Sequence, residues 1–242
     1  MEGGWIFDPR SEKCTDVLDD QQLCITRDEG AVIRAARGLA GVLFGLLLLH
    51  FSNASFAWNI NTTDLHDGDI VVRRADGMES FVALEVDGKW THVGILHKSG
   101  NEWLVITSYN VGKNQVHGVQ EESLDDFLGL AKAFVVVRIT ENADYAENAV
   151  KRALAKIGVP YNKSISDLGD DRMTCVALAR YAYGGIFKMT SIDLVPIFAR
   201  MGIDEKLARD LGFLEKSEKL PTTVRTVLPS DIVASGRVVS GG

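Results

Sequence analysis

Cysteine is nearly absent from this chain: Cys14, Cys24 and Cys175 are the three among 242 residues, and only Cys175 lies beyond residue 57. A domain running from Trp58 onward cannot form an internal disulfide, so a disulfide framework is excluded there. Clusters of Lys and Arg are missing as well, and the net charge is −7. That argues against a nucleic-acid binder or a protein that grips bare phosphate. No internal repeat and no low-complexity tract occurs, which removes solenoids and arrays. No pair of His or Cys has zinc-ligand spacing, so no metal site is expected.

Charge itself is missing from Gly38 to Thr63. Residues 38–51, GLAGVLFGLLLLHF, are apolar, follow Arg34 and Arg37, and precede NASFA, which sets the small residues Ser55 and Ala57 two apart. This order reads as a secretory signal cleaved after Ala57. An uncleaved anchor is the alternative, since a span of ~20 residues fits. Ser52, Asn53, Asn59 and Asn61 weaken the second half as a bilayer core and favour cleavage. Residues 1–31 form a long polar, acidic lead, either an over-extended start with the true one near Val32 or a cytoplasmic tail. The division is a leader over 1–57 and one domain over 58–242, exported to a periplasmic or extracellular space or otherwise anchored. From Trp58 onward there are 21 basic and 25 acidic residues, a net near −4.

Within that domain, hydrophobic periodicity predicts strands over Asp69–Arg74, Thr91–His97, Trp103–Tyr109 and Phe134–Thr140, with a weaker one at Gln115–Val119. Residues 78–86 fit strand and helix equally badly. Asn142 caps a predicted helix with Ala146, Ala149, Val150, Ala153, Leu154 and Ile157 on one stripe, stopped by Gly158 and Pro160. A second helix is predicted from Thr174 to Tyr183, two more around 192–200 and 204–213, with Pro196 inside the first, and the tail from Pro221 is read as extended and polar. Strands first and helices later predict an α+β fold with an antiparallel sheet or small barrel of about five strands.

A lone cysteine in an exported domain is either a reactive thiol or a small buried hydrophobe. Cys175 stands at a predicted helix start, where free N–H groups favour a thiolate and an oxyanion. An inflection below ~8.5, the free-cysteine reference, follows from that placement and a nearby imidazole. Asp170 and Asp171 just upstream are expected to face solvent. His66 and His117 read as surface residues. His92 and His97 share a strand five apart, hence on opposite faces, and Gly94 is read as leaving open space beside His92.

The order of Gly68-Asp69-Ile70, Trp90-Thr91-His92-Val93-Gly94-Ile95, Gly158-Val159-Pro160-Tyr161 and Thr174-Cys175 followed by ALARYAY resembles the circularly permuted NlpC-like papain-fold hydrolases, within them the YiiX-like group. The ending LPSDIVAS adds to the likeness, which covers roughly residues 66–234. The resemblance implies a papain-like fold with the nucleophile helix packed on the sheet. It makes Cys175 the nucleophile, His92 the base and Tyr161 a residue lining the site. The third polar residue of the group, often Glu, falls at Thr107, or at Ser108 if the register slips by one; Ser108 is otherwise expected to line the substrate or oxyanion position. Cys175-Val176-Ala177 departs from the group's usual Cys-Ser-Glu. The implied activity is that of an exported cysteine amidase or peptidase acting on cell-wall peptide or a related amide, with no cofactor. The alternatives are an acyltransferase or lipid hydrolase on the same fold, or a non-catalytic ligand-binding relative.

Overall fold

A computed structural model describes residues 58, 60–76, 86–110, 117–163, 171–214 and 218–242. The signal, the early lead, most of the ambiguous stretch 78–86 and the first residues of the weak strand at 115–119 lie outside them. Among the described residues no helix is long and apolar enough to cross a membrane.

Six strands form one antiparallel sheet: β1 (Ile70–Ala75), β2 (His92–Ser99), β3 (Glu102–Tyr109), β4 (Gly118–Ser123), β5 (Ala131–Arg138) and β8 (Arg237–Gly241), in the spatial order β4-β3-β2-β1-β5-β8. The strands β2 and β3 make a hairpin around the Ser99-Gly100-Asn101 turn. Side chains alternate between the two faces. Ile70, Val72, Val93, Ile95 and Ile106 share one apolar cluster, while Val71, Leu96, Val105, Phe134 and Val136 share another.

Helices cover the first face. In α2 (Ala143–Leu154) Asn142 accepts from the Tyr145 N–H at 3.0 Å, and Ala146, Ala149, Val150 and Ala153 are buried. Small alanines let α2 lie close against α3 (Cys175–Ala182), which buries Leu178, Ala179 and Ala182. Ile157 was expected on the α2 stripe, but the helix ends at Leu154 and Ile157 is exposed. The opposite face is covered by a helix absent from the sequence reading, α1 (Leu124–Gly129), which places Leu124, Phe127 and Leu128 on the sheet. Ser123 caps it by accepting from the Asp126 N–H at 3.1 Å, and Asp125 and Asp126 favour its positive end.

A satellite cluster joins α4 (Leu194–Met201) and α5 (Glu205–Asp210) to a two-stranded antiparallel sheet of β6 (Thr190–Asp193) and β7 (Thr223–Thr226). Pro196 sits in the first turn of α4, where its missing N–H has no intrahelical partner to lose, so it opens the helix without kinking it. The tail corrects the extended, polar expectation: Pro229–Ala234 is a helix, α6, started by Pro229, and β8 completes the sheet edge.

The Gly68-Asp69 pair ties these layers together. Arg138 Nε donates to Asp69 Oδ1 at 2.8 Å and Nη2 to Oδ2 at 2.9 Å, and the same carboxylate accepts from the His66 N–H at 2.8 Å. Tyr183, at the end of α3, donates its hydroxyl to the Gly68 carbonyl. The pair therefore clamps the start of β1 to β5 and α3.

Candidate active site

The pairing of β2 with β3 runs from Ser99 opposite Glu102 to Ile95 opposite Ile106, while β3 stays paired with β4 as far as Tyr109. Beyond Ile95 the first residues of β2 remain bonded to β1 but part from β3. Thr107 fills the gap with its side chain. Its hydroxyl donates to the Val93 carbonyl at 2.6 Å and lies 2.9 Å from His92 Nε2. A hydroxyl has one proton; with that given to Val93, the ring must donate from Nε2, and Nδ1 keeps the free lone pair.

The His92 ring stacks on Tyr109, with centroids 4.4 Å apart and planes 12° from parallel, and lies 5.7 Å from the Phe127 ring. Burial, with the Arg73 guanidinium beside it, holds the imidazole well below its ordinary 6.5. The open space expected beside Gly94 is filled. A Cβ there would lie 2.1 Å from Val105 Cγ1 and 3.3 Å from Phe127, so glycine is required for the β3 side chain and α1 to close under the histidine.

Cys175 is the first residue of α3. Thr174 caps the helix by accepting from the Ala177 N–H at 3.2 Å, which leaves the N–H groups of Cys175 and Val176 pointing at the thiol; a third donor is the Val93 N–H on β2. The expected acid thiol is corrected. Burial pushes Cys175 above its usual value, and the three backbone donors and Arg73 offset this only in part. Asp171 is exposed, as expected, and Asp170 lies outside the described residues.

The segment before the helix is held in two directions. Met173 N–H donates to the Pro160 carbonyl at 2.9 Å and Asn162 N–H to the Met173 carbonyl at 3.3 Å, so the Gly158–Tyr161 motif forms a strap along the approach to Cys175 and carries the half-buried Tyr161. Ser108, fully buried on the opposite face from Thr107, donates its hydroxyl to the Met173 carbonyl at 2.7 Å. Of the two register alternatives, then, Thr107 meets the imidazole and Ser108 braces the segment ahead of the cysteine. His97 points away and bonds Glu121 at 2.9 Å; His66 and His117 are exposed.

Two residues here escaped the sequence reading, Arg73 and Tyr109. Both carried a signal. Tyr109 follows Thr107 at the two-residue strand period, and Arg73 is a charge at a position whose period-2 neighbour Val71 is buried. A cleft of about 590 Å³ lined by Asp67, Lys98, Trp103 and Glu147 among others opens at the far end of β2 and shares no residue with this site.

A strand histidine oriented by a neighbouring hydroxyl and a helix-initial cysteine that meets the N–H of the next strand residue, Val93, are the elements of a papain-like thiol hydrolase, although among the described residues no hydrogen bond joins Cys175 to His92. The chain matches over residues 64–238 the family described as permuted papain-like amidase enzyme, YaeF/YiiX, C92, and belongs to it. It is accordingly an amidase of the cysteine-peptidase type. Its fold is similar to the crystal structure of the metalloprotein yiiX from Escherichia coli O157:H7, at 17% identity and a TM-score of 0.59, over 74% of this chain and 98% of that one. Comparison with curated proteins finds no match. The word metalloprotein belongs to that relative; among the described residues here no three His, Cys, Asp or Glu side chains come together to hold a metal ion.

Proposed function

We propose that this protein is an exported amidase that uses Cys175 as nucleophile, His92 as base and Thr107 to orient the base, and that it cleaves an amide in cell-wall peptide or a related acylated molecule. The observation that carries the reading is the Thr107 hydroxyl, which binds Val93 and the His92 ring together and leaves Nδ1 unprotonated. In the reaction His92 Nδ1 takes the thiol proton as sulfur attacks the carbonyl carbon. The N–H groups at the start of α3 are placed to hold the oxyanion. The imidazolium then gives that proton to the leaving amine as the C–N bond breaks. Water, deprotonated by the same nitrogen, releases the acid and returns the thiol.

Export is supported by the apolar segment 38–51 and the small-x-small site at Ser55 and Ala57. The test is to incubate the protein with cell-wall peptide fragments and follow new amines by mass spectrometry. Turnover is expected, abolished in Cys175→Ala and reduced about 10²–10⁴-fold in His92→Ala. Release of an acyl group to an added alcohol or amine without net hydrolysis, or turnover that survives Cys175→Ala, overturns the assignment. The mass of the protein from its native host is expected to correspond to a start near Trp58; a chain retaining 38–57 in the membrane fraction leaves the anchor.

A further inference from the structure

Arg73 is buried, 3% exposed, and among the described residues no carboxylate pairs with it. Its contacts are unusual for a buried cation. The guanidinium donates to the Phe127 carbonyl, lies 4.3 Å from the Phe127 ring centroid and 5.6 Å from that of Tyr109, and its Nε has no hydrogen-bond partner. Leaving a charge unpaired in the interior is costly, and a hydrophobic residue at this strand position avoids the cost.

What the charge stands next to is His92. Arg73 and His92 are direct partners across β1 and β2, so their side chains leave the same face of the sheet. They also share their walls: the two rings under the guanidinium, Phe127 and Tyr109, are the two rings against the imidazole. The other ionisable groups around the box are the Tyr109 phenol, Glu122 on β4, to which that phenol donates, and Cys175 on α3; Asp125 and Asp126 of α1 are exposed. Guanidinium keeps its proton at any working pH. Two cations in one aromatic box repel, so the group that can shed its proton does.

We infer that Arg73 is a positioning residue of the Cys175–His92 site, whose fixed charge keeps the resting imidazole neutral and serves as the cation opposite the Cys175 thiolate when it forms. This rests on the proposed Cys–His assignment. The site then starts from thiol and neutral imidazole, not from a preformed thiolate–imidazolium pair. Proton transfer from sulfur to His92 Nδ1 accompanies attack, and Arg73 stabilises the negative charge carried first by sulfur and then by the oxyanion. The directions in which Arg73 moves its neighbours agree, since it lowers both His92 and Cys175.

The test is made without substrate, so it stands or falls apart from the amidase reading. Imidazole titration is read by NMR on labelled histidine, with His92→Gln for assignment. Alkylation of Cys175 by iodoacetamide is followed against pH by peptide mass. In the unaltered protein His92 is expected to be neutral, with the proton on Nε2, at pH 6.5; an imidazolium there overturns the inference and requires no variant. Arg73→Gln is expected to move both inflections upward, slowing alkylation at neutral pH about tenfold for each unit that the thiol moves. Arg73→Lys, which keeps the charge, is expected to leave both where they stand in the unaltered protein. Simple loosening of the fold gives a different pattern: exposure raises His92 toward its ordinary value and lowers Cys175 toward its own. Opposite movements, or no movement in Arg73→Gln, overturn the inference.

Discussion

At Thr107 one hydroxyl serves two acceptor–donor relations, and this makes the side chain more than a replacement for a carboxylate. It ends the β2–β3 ladder by taking the Val93 carbonyl, and it sets the His92 tautomer. Thr107→Val keeps the shape and removes both bonds. Loss of one neutral bond to the ring is expected to lower the rate several-fold, about 1 kcal/mol. The Val93 carbonyl left without its partner is expected to cost a further 1–3 kcal/mol or so of stability, measured by urea unfolding. Ser108→Ala, by contrast, is expected to lower stability and leave the imidazole tautomer unchanged in NMR spectra. The acid limb of kcat/KM reports the base. Because burial and Arg73 hold His92 well below 6.5, the proposed assignment of His92 as base requires a neutral imidazole below that pH, and the limb is expected there. A limb at or above 6.5 contradicts a buried base.

Among the elements, the strap over 158–162 has the most direct mechanical role. It is fastened to β4 by Val119 N–H donating to the Val159 carbonyl at 2.8 Å and Gly158 N–H to the Val119 carbonyl at 2.9 Å, and it is fastened to Met173 at its other end. Close approach of strap to strand needs Gly118, whose φ is +111° and whose added Cβ would lie 2.2 Å from the Val159 oxygen. Gly118→Ala combines backbone strain with that clash, and about 1–3 kcal/mol of destabilisation is expected from the strain alone. Displacement of the strap should also disturb Met173 and the thiol two residues on. The expected readout is a lower unfolding midpoint together with an altered alkylation rate of Cys175 in the folded protein. An unchanged alkylation rate in a destabilised variant shows that the strap supports the fold without positioning the nucleophile.

For the whole molecule, the Asp69–Arg138 pair and the two buried site groups set the stability. Arg138 is 8% exposed and Asp69 1%, with two hydrogen bonds between them. Asp69→Ala removes the buried carboxylate and leaves the guanidinium only the Asp64 carbonyl and the exposed Glu141 carboxylate 3.8 Å away, and a loss of about 3–5 kcal/mol is expected in urea unfolding. The pH dependence follows from linkage. His92 is lowered on folding, so below its unfolded pKa the unfolded chain binds the extra proton and stability falls as pH drops from about 6.5. Cys175 is raised on folding, so above its unfolded pKa, about 8.5, the unfolded chain gives up the proton first and stability falls as pH rises. His92→Gln is expected to flatten the acid fall and Cys175→Ser the alkaline one in thermal unfolding across pH. If neither substitution changes the slopes, the two groups are not buried in the folded protein.

The sequence by itself determined the four principal strands, the helix capped by Asn142, the helix start near Thr174, the opposite faces of His92 and His97, and the family, because these depend on period, capping chemistry and motif order along the chain. It also placed Thr107 on the strand that follows the histidine strand. Only the tertiary structure decided what those residues meet. The helix α1 was illegible because it is six residues long, too short for a period to emerge, and it brings Phe127 under His92. Arg73 became a residue of the site only when pairing with β2 set it opposite His92. The apparent room beside Gly94 was taken by Val105 from the next strand, and the expected acid thiol gave way to burial. Each of these depends on groups far apart in the chain, whose distances and loss of water come into being when the sheet and its two coverings close.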